Sequence, residues 1–578
     1  MGHETAVDVP SAGDLALLRR LAADFEAVGY TVDDVAELVG PAAHAALSRD
    51  QIVPALVATE RAIRAAAEAG RAAQAGRAAE AGRAGEARLA AEARPAEPTD
   101  DGGAARRAAL AVVVRLFLLG RDEPEGAVAA ALPTIGPSGL VELGLAEEVP
   151  AREGTEPARL RARVDLRPYA WVDAEAAGHG EVRLWVASDL AAHQRPGILR
   201  RDHVLGIGHA STTLVQSTAR RPVGTALDLG TGCGIQTFHL LRHARRVVAT
   251  DVSERALAFT RFNLVLNAGQ LGLDPEQLDD RVDLRLGSLL EPVAGERFDF
   301  IVSNPPFVIT PREEGESAED QFTYRDAGLP GDQLVAGLVA SLWDALAEGG
   351  TAQLLGNWEV RAGGEWHDRV RSWVPEGLDA WVLQRELVGP EQYAETWLQD
   401  ASEQLDPEAY AKSYAAYLDD FASRGTEGIG FGMMWFRRTA PDQARLNRFE
   451  SLTHPIEQPI GPHWQAAVER ADWLHSLGPS QFAAVHLVIA DDVTEERHQR
   501  PGAEHPGVVL VRQGAGFRRT ALLSTEQAGF ISACDGELAA GQIAAALGAL
   551  LGRDDEEFSH GLLREIRELT EDGFLMKA

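Results

Sequence analysis

Apolar positions recur at helical spacing near the start of the chain. Leu15, Leu17, Leu18, Leu21 and Phe25 follow Ser11, a candidate cap, and predict a helical region over residues 1–66. The pattern then fails. Between residues 67 and 103 the run Ala-Gly-Arg-Ala-Ala-Glu recurs imperfectly with almost no large apolar residue, which reads as a partly helical surface extension or linker. Apolar periodicity resumes over 104–195. Helices are expected at 106–119, 124–132 and 137–147, and strands at 159–166 and 181–186 alternate like a hairpin. Helices followed by a hairpin fit a winged-helix-like module or a plain α+β cap. From 196 to 440 short apolar strands alternate with helical segments, at 225–229, 246–250, 282–286 and 298–302. That alternation predicts a parallel sheet covered by helices, an α/β architecture. Residues 441–578 read as a last α+β unit, again compatible with a winged helix. Its strands are expected at 482–490 and 508–512, and its helices at 539–551 and 562–573.

At 578 residues the chain is too long for one domain. With 45% hydrophobic and 25% charged residues, wholesale disorder, collagen and a disulfide scaffold are excluded. Lys and Arg total 55 against 87 for Asp and Glu, a net charge of −32, which disfavours a general electrostatic coat on nucleic acid but leaves room for a local basic patch. Cys233 and Cys534 stand far apart, so no zinc spacing exists and no metal is expected. Met1-Gly2-His3-Glu4 lacks the basic region and apolar core of a signal peptide. The longest apolar stretch, 108–119, is interrupted by Arg115 and is too short for a bilayer. A cytoplasmic protein with no membrane partner is the expectation.

Candidate chemistry starts at Leu227-Asp228-Leu229-Gly230-Thr231-Gly232-Cys233-Gly234, between a strand and a helix. Glycines let the backbone turn tightly and approach a ligand closely. Asp251 ends the next strand, where an acid can accept hydrogen bonds from both ribose hydroxyls of a nucleoside cofactor. A dinucleotide pyrophosphate would be repelled by Asp228 just before the loop. The loop with its acid resembles the S-adenosylmethionine site of class I methyltransferases. Asp228, Gly230, Gly232, Gly234 and Asp251 are the candidate cofactor residues. Cys233 reads as a packed residue, not a nucleophile.

The segment Phe298 to Phe307 is the strongest signal: a buried strand ending in Asn304-Pro305-Pro306-Phe307. Proline fixes φ and removes donors, so this turn presents acceptors only, the Asn304 side-chain oxygen and the Pro305 carbonyl. Two acceptors suit a planar NH2 group. Holding both hydrogens draws the nitrogen toward a tetrahedral form and aims its lone pair at the methyl group. Phe307 can stack on a flat base or amide. The tetrapeptide resembles the fourth motif of amino-methyltransferases, whose members act on adenine N6, guanine N2 or a glutamine side-chain amide. The resemblance implies a Rossmann-like methyltransferase sheet over roughly 196–440, S-adenosylmethionine as cofactor, and catalysis by Asn304, Pro305, Pro306 and Phe307.

Residues 195–214, with Arg200, Arg201, Asp202 and His203, resemble the lead-in segment of the small-domain enzymes that modify guanine N2 in ribosomal RNA. Arg200 and Arg201 are candidate substrate contacts. Three departures stand beside this. The third motif offers Ser288 where an acid usually meets the adenine amine. Val308 follows the Asn-Pro-Pro-Phe turn where the ribosomal-RNA enzymes have His. An acidic segment, residues 313–320, then precedes Tyr324, a further candidate contact, and an acidic lid there would repel phosphates. The expected function is N-methylation of an exocyclic amino group in structured RNA, guanine N2 or adenine N6. Protein glutamine N5-methylation, a small-molecule N-methyltransferase and a non-catalytic scaffold are the alternatives.

Overall fold

The computed structural model describes residues 9–49, 51–86, 101–150, 157–172, 180–194, 200, 202–311, 328–400, 403–440, 446–553 and 555–578. The chain opens with helices Leu15–Val28, Val32–Val39, Pro41–Leu47 and Val53–Glu86. The first helix is capped by Asp14, not Ser11: its carboxylate accepts the Ala16 and Leu17 N–H groups, both at 2.9 Å. A carboxylate there also faces the positive end of the helix dipole. Helix Val53–Glu86 runs straight through the change in composition at residue 67, because Ala, Arg, Glu and Gln favour helix without needing an apolar stripe.

Helix Asp101–Val113 passes into a π-helical turn, Val114–Leu118. Then come β1 (Glu123–Pro124), helices Glu125–Ala131 and Gly136–Glu142, β2 (Ala146–Val149) and β3 (Arg159–Ala162). These three strands form a small antiparallel sheet in the order β1-β3-β2. The hairpin differs from the expected one. A bend at residues 163 and 164 splits the 159–166 strand. β3 turns back on β2, while β4 (Asp165–Val172) pairs with β5 (Glu181–Ser188) as a separate ribbon.

The central sheet contains β6 (Val223–Leu229), β7 (Ala244–Asp251), β8 (Val282–Leu286), β9 (Phe298–Ser303), β10 (Leu346–Arg361), β11 (Leu378–Val388), β12 (Thr426–Arg438) and β13 (Asn447–Ser451). Their order is β13-β11-β12-β10-β9-β6-β7-β8, and only β12 runs antiparallel to its neighbours. The chain moves outward from β6 to β8 and then crosses back to β9. The switch point between β6 and β9 opens a crevice at the carboxyl ends of the strands, where ligands of open α/β sheets bind.

Two buried asparagines dock the β4–β5 ribbon onto this unit from helix Glu254–Leu266 and the residue that follows it. Asn263 exchanges hydrogen bonds with the Ala187 N–H and carbonyl and donates to the Cys233 carbonyl. Asn267 does the same with Trp185. One hydrophobic core runs from Leu21, Phe25 and Phe117 through Trp185 to Phe259 and Phe262.

The last unit follows helix Gly461–His475. It holds β14 (His486–Ile489), the antiparallel sheet β15 (Val493–His498), β16 (Val508–Gln513) and β17 (Thr520–Leu523), then β18 (Asp535–Ala539) and β19 (Leu575–Lys577). The expected helices are Ala540–Leu551 and Glu556–Asp572, and β14 lies between β18 and β19. Among the described residues no helix is long and apolar enough to cross a membrane.

Candidate active site

β6 ends at Leu229, deep in the sheet, and the backbone then turns through Gly230 and Gly232 with φ of 79° and 58°. Only glycine takes these angles without strain. A side-chain carbon built on either residue would meet nothing within 4 Å, so the loop lines open space. Gly234 shares the positive φ, at 97°, and there an added carbon would also come within 3.1 Å of the Phe238 ring, so this glycine serves packing as well. The loop's shape is held from below. Asp228, 1% exposed, accepts the Thr231 and Thr237 hydroxyls on Oδ2 at 2.8 and 2.7 Å. Its Oδ1 is buried and accepts no hydrogen bond among the described residues. Burial pushes the Asp228 carboxyl up to about 6, against the lowering effect of the two threonine hydroxyls. Cys233 lies buried beside the loop, and burial pushes its thiol up to about 12, which suits packing and not nucleophilic attack.

Asp251 ends β7 and faces the same loop. Its Oδ2 accepts the Gly232 N–H at 3.0 Å and its Oδ1 accepts the Ser253 N–H at 2.9 Å. The carboxylate therefore shapes the glycine loop, and each oxygen keeps a lone pair for a ligand hydroxyl. Burial raises its pKa, opposed by these N–H groups. Ser288, beyond the end of β8, is exposed. Its backbone carbonyl accepts the Glu291 N–H, while the preceding Gly287 N–H donates to the Asp251 carbonyl at 2.9 Å, which brings the Ser288 turn against the tip of β7.

β9 lies beside β6 with Ser303 opposite Leu229. The Ser303 hydroxyl donates to the Leu229 carbonyl at 2.8 Å. Asn304, the next residue, carries a buried Oδ1 that accepts no hydrogen bond among the described residues. Pro305 is buried, and Pro306 and Phe307 are half-buried. Phe307 meets Phe431 of β12 edge-on, with ring centroids 6.4 Å apart.

The wall beyond the turn was not evident from the sequence. Val308 and Ile309 are buried among Val388, Tyr393, Leu398, Phe421 and Ile429. The Tyr393 hydroxyl accepts the Ile309 N–H at 2.8 Å and the Asn357 side-chain amide at 3.0 Å. Phe431 stacks on Tyr393 at 5.7 Å. A signal that could have exposed this wall is Asn357, a polar residue set between Leu355 and Trp358 in β10.

Arg200 makes a two-pronged contact with Asp202, at 2.9 and 3.0 Å, so its guanidinium is engaged within its own segment. His203 is buried near Asp189, which takes a buried ion pair from Arg255. Arg201, Tyr324 and the acidic segment 313–320 lie outside the described residues.

These residues fit S-adenosylmethionine. The open side of Gly230 and Gly232 admits a ligand, the Asp251 oxygens can take ribose hydroxyls, and the unpaired Asp228 Oδ1 can take an ammonium group. A pyrophosphate would meet Asp228 with like charge. Among the described residues no group of His, Cys, Asp or Glu could hold a metal ion.

Parts of the chain are similar to known proteins. Residues 190–324 match the family described as methyltransferase small domain. Residues 27–163 match a domain of unknown function, DUF7059. A release factor glutamine methyltransferase of Aquifex aeolicus is 39% identical over 89 residues, 15% of this chain and 28% of that protein. Ribosomal RNA small subunit methyltransferase C of Idiomarina loihiensis is 34% identical over 125 residues, 22% of this chain and 33% of that protein. The chain thus spans about a third or less of the length of these relatives. A solved T. thermophilus 16S rRNA N2 methyltransferase, in complex with AdoMet and guanosine, aligns at 19% identity over 38% of this chain and 52% of that one, with a TM-score of 0.22. Residues 190–324, which hold the glycine loop and the Asn-Pro-Pro-Phe turn, thus match the methyltransferase small domain family, and the relatives that align with this chain are named as methyltransferases.

Proposed function

We propose that the protein methylates a planar exocyclic amino group on a base in structured RNA, guanine N2 or adenine N6. The observation that carries the amino-group reading is the buried, unpaired Oδ1 of Asn304 at the switch point, one residue from the bond that ties β9 to the glycine loop. Bound S-adenosylmethionine would supply an electrophilic methyl group. The chain's own part is positioning and desolvation. The Asn304 oxygen and the Pro305 carbonyl accept the two amino hydrogens. Holding both hydrogens draws the nitrogen toward a tetrahedral form and leaves its lone pair for the methyl group. Phe307, braced by Phe431, supports the flat face of the target. After transfer the nitrogen sheds one proton to solvent, since neither a side-chain amide nor a proline carbonyl is basic enough to hold it.

The lead-in segment and the rRNA-modifying relative support RNA as the target. The opposing reading, a protein glutamine amide, is favoured by the net charge of −32 and by the release-factor relative. The winged-helix-like module adds nothing to the RNA case. Its helix Gly136–Glu142, where such modules usually read a groove, has no basic residue. Incubating the purified protein and methyl-labelled S-adenosylmethionine with lysate of cells lacking the gene separates the readings. Label in RNA, abolished by Asn304→Ala, is the expected result. Label in a protein band replaces RNA by glutamine, and label in small molecules alone removes both.

A further inference from the structure

Asn357 stands where β10 has outrun its neighbour. β9 ends at Ser303 opposite Leu354, and beyond that point Asn357 pairs with Phe431 of β12. Its side chain is 0% exposed. Along β10, Leu355 belongs to the core that holds Val302, while Leu354 belongs to the one that holds Ile301. Strand alternation therefore puts Asn357 on the side of Val302, which is also the side of Asn304 two residues on. Two further ties fix it there. The Tyr393 hydroxyl bonds both Asn357 and Ile309, and Phe431, opposite Asn357, touches Phe307. Asn357 Nδ2 donates one hydrogen to the Tyr393 hydroxyl at 3.0 Å. Its Oδ1 is buried and accepts no hydrogen bond among the described residues, as with Asn304. Buried amide oxygens are nearly always paired, so two unpaired ones flanking a single turn point to a ligand that brings the donors.

We propose that Asn357 is a specificity-determining residue whose Oδ1 accepts a hydrogen bond from an N–H group flanking the reacting amino group. The inference rests on the amino-methylation reading above. Asn304 Oδ1 and the Pro305 carbonyl take the two amino hydrogens, so a third acceptor calls for a third, adjacent donor. Guanine has one, N1–H beside the 2-amino group. Adenine places the lone pair of N1 beside its 6-amino group, and a glutamine amide places its carbonyl oxygen there. Each of those sets a lone pair against Oδ1, which the site would reject.

The test uses the full chain saturated with S-adenosylhomocysteine and titrated calorimetrically with guanosine or with 2-aminopurine riboside. The second nucleoside keeps the 2-amino group but carries a lone pair at N1. The wild-type protein should bind guanosine about tenfold more tightly, the worth of one buried hydrogen bond. Asn357→Ala should reduce guanosine binding to the level of 2-aminopurine riboside and leave the latter within about twofold, as expected where only one bond is lost. Asn357→Asp, which keeps an acceptor at this position, should restore the preference. Equal binding of the two nucleosides by the wild-type protein, or an equal loss of both in Asn357→Ala, overturns the assignment and leaves amino-methylation standing. Binding of neither, with S-adenosylhomocysteine bound and label entering protein, overturns the RNA reading as well.

Discussion

Ser303 and Leu229 face each other on adjacent parallel strands, and the Ser303 hydroxyl donates to the Leu229 carbonyl at 2.8 Å. The residues that follow them, Asn304 and Gly230, therefore start side by side. The glycine loop and the Asn-Pro-Pro-Phe turn, far apart in sequence, are tied together by the β6–β9 pairing and this one buried side chain. Ser303→Ala should cost about 1 kcal/mol in urea unfolding, the usual worth of such a bond. It should also lower kcat more than it raises KM, because alignment and not ground-state binding is lost. An unchanged kcat would show that the sheet alone sets the alignment.

Asn304 and Asp251 should separate on substitution. Asn304→Ala should reduce kcat by about 10²–10³, as removal of one preorganised polar group commonly does, and leave cofactor affinity intact. Asp251→Ala frees the Gly232 and Ser253 N–H groups and removes the ribose acceptor, so cofactor affinity should fall at least about tenfold, one hydrogen bond's worth. Equilibrium binding of S-adenosylhomocysteine beside single-turnover rates checks both. Equal loss of cofactor binding in the two variants would contradict the assigned roles.

Asp228 makes a pH prediction. Its pKa in the folded protein is raised from 3.8 to about 6, chiefly by burial. A raised value means that the group's contribution to stability is fully present below pH 3.8 and is lost as pH rises through 6. Above pH 6 the ionised carboxylate opposes folding by about 3 kcal/mol at most. Asp228→Asn keeps an acceptor for Thr231 and Thr237 without the charge. In the ligand-free protein its Tm relative to wild type should rise between pH 5 and pH 8, while its affinity for S-adenosylhomocysteine falls. A difference in Tm that stays flat with pH would rule out the raised pKa.

Asn263 joins three elements, bonding Ala187 on both backbone groups and the Cys233 carbonyl of the glycine loop. Asn263→Ala leaves those buried groups without partners and should cost about 3 kcal/mol, the upper end for an unsatisfied buried network. Urea denaturation gives the stability. Limited proteolysis should reveal release of the β4–β5 ribbon before global unfolding; coincident loss of both would show that the ribbon has no separate stability.

What the sequence alone determined lies in short stretches. The strand-and-helix alternation, Gly230 and Gly232, Asp251 and the Asn304–Phe307 turn were all legible, because backbone conformation and acceptor-only chemistry are set by adjacent residue types. Charge settled little: −32 over the chain did not exclude RNA, and Arg200, read as a substrate contact, is engaged by Asp202 two residues away. Tertiary structure decided the rest. It split the expected hairpin at residues 163 and 164, set Ser303 against Leu229, and joined Asn357 to Ile309 through the Tyr393 hydroxyl. These depend on strand order and register, which arise from packing between residues tens of positions apart. A buried asparagine declares its purpose only when the groups around it, and the donor it lacks, are in view.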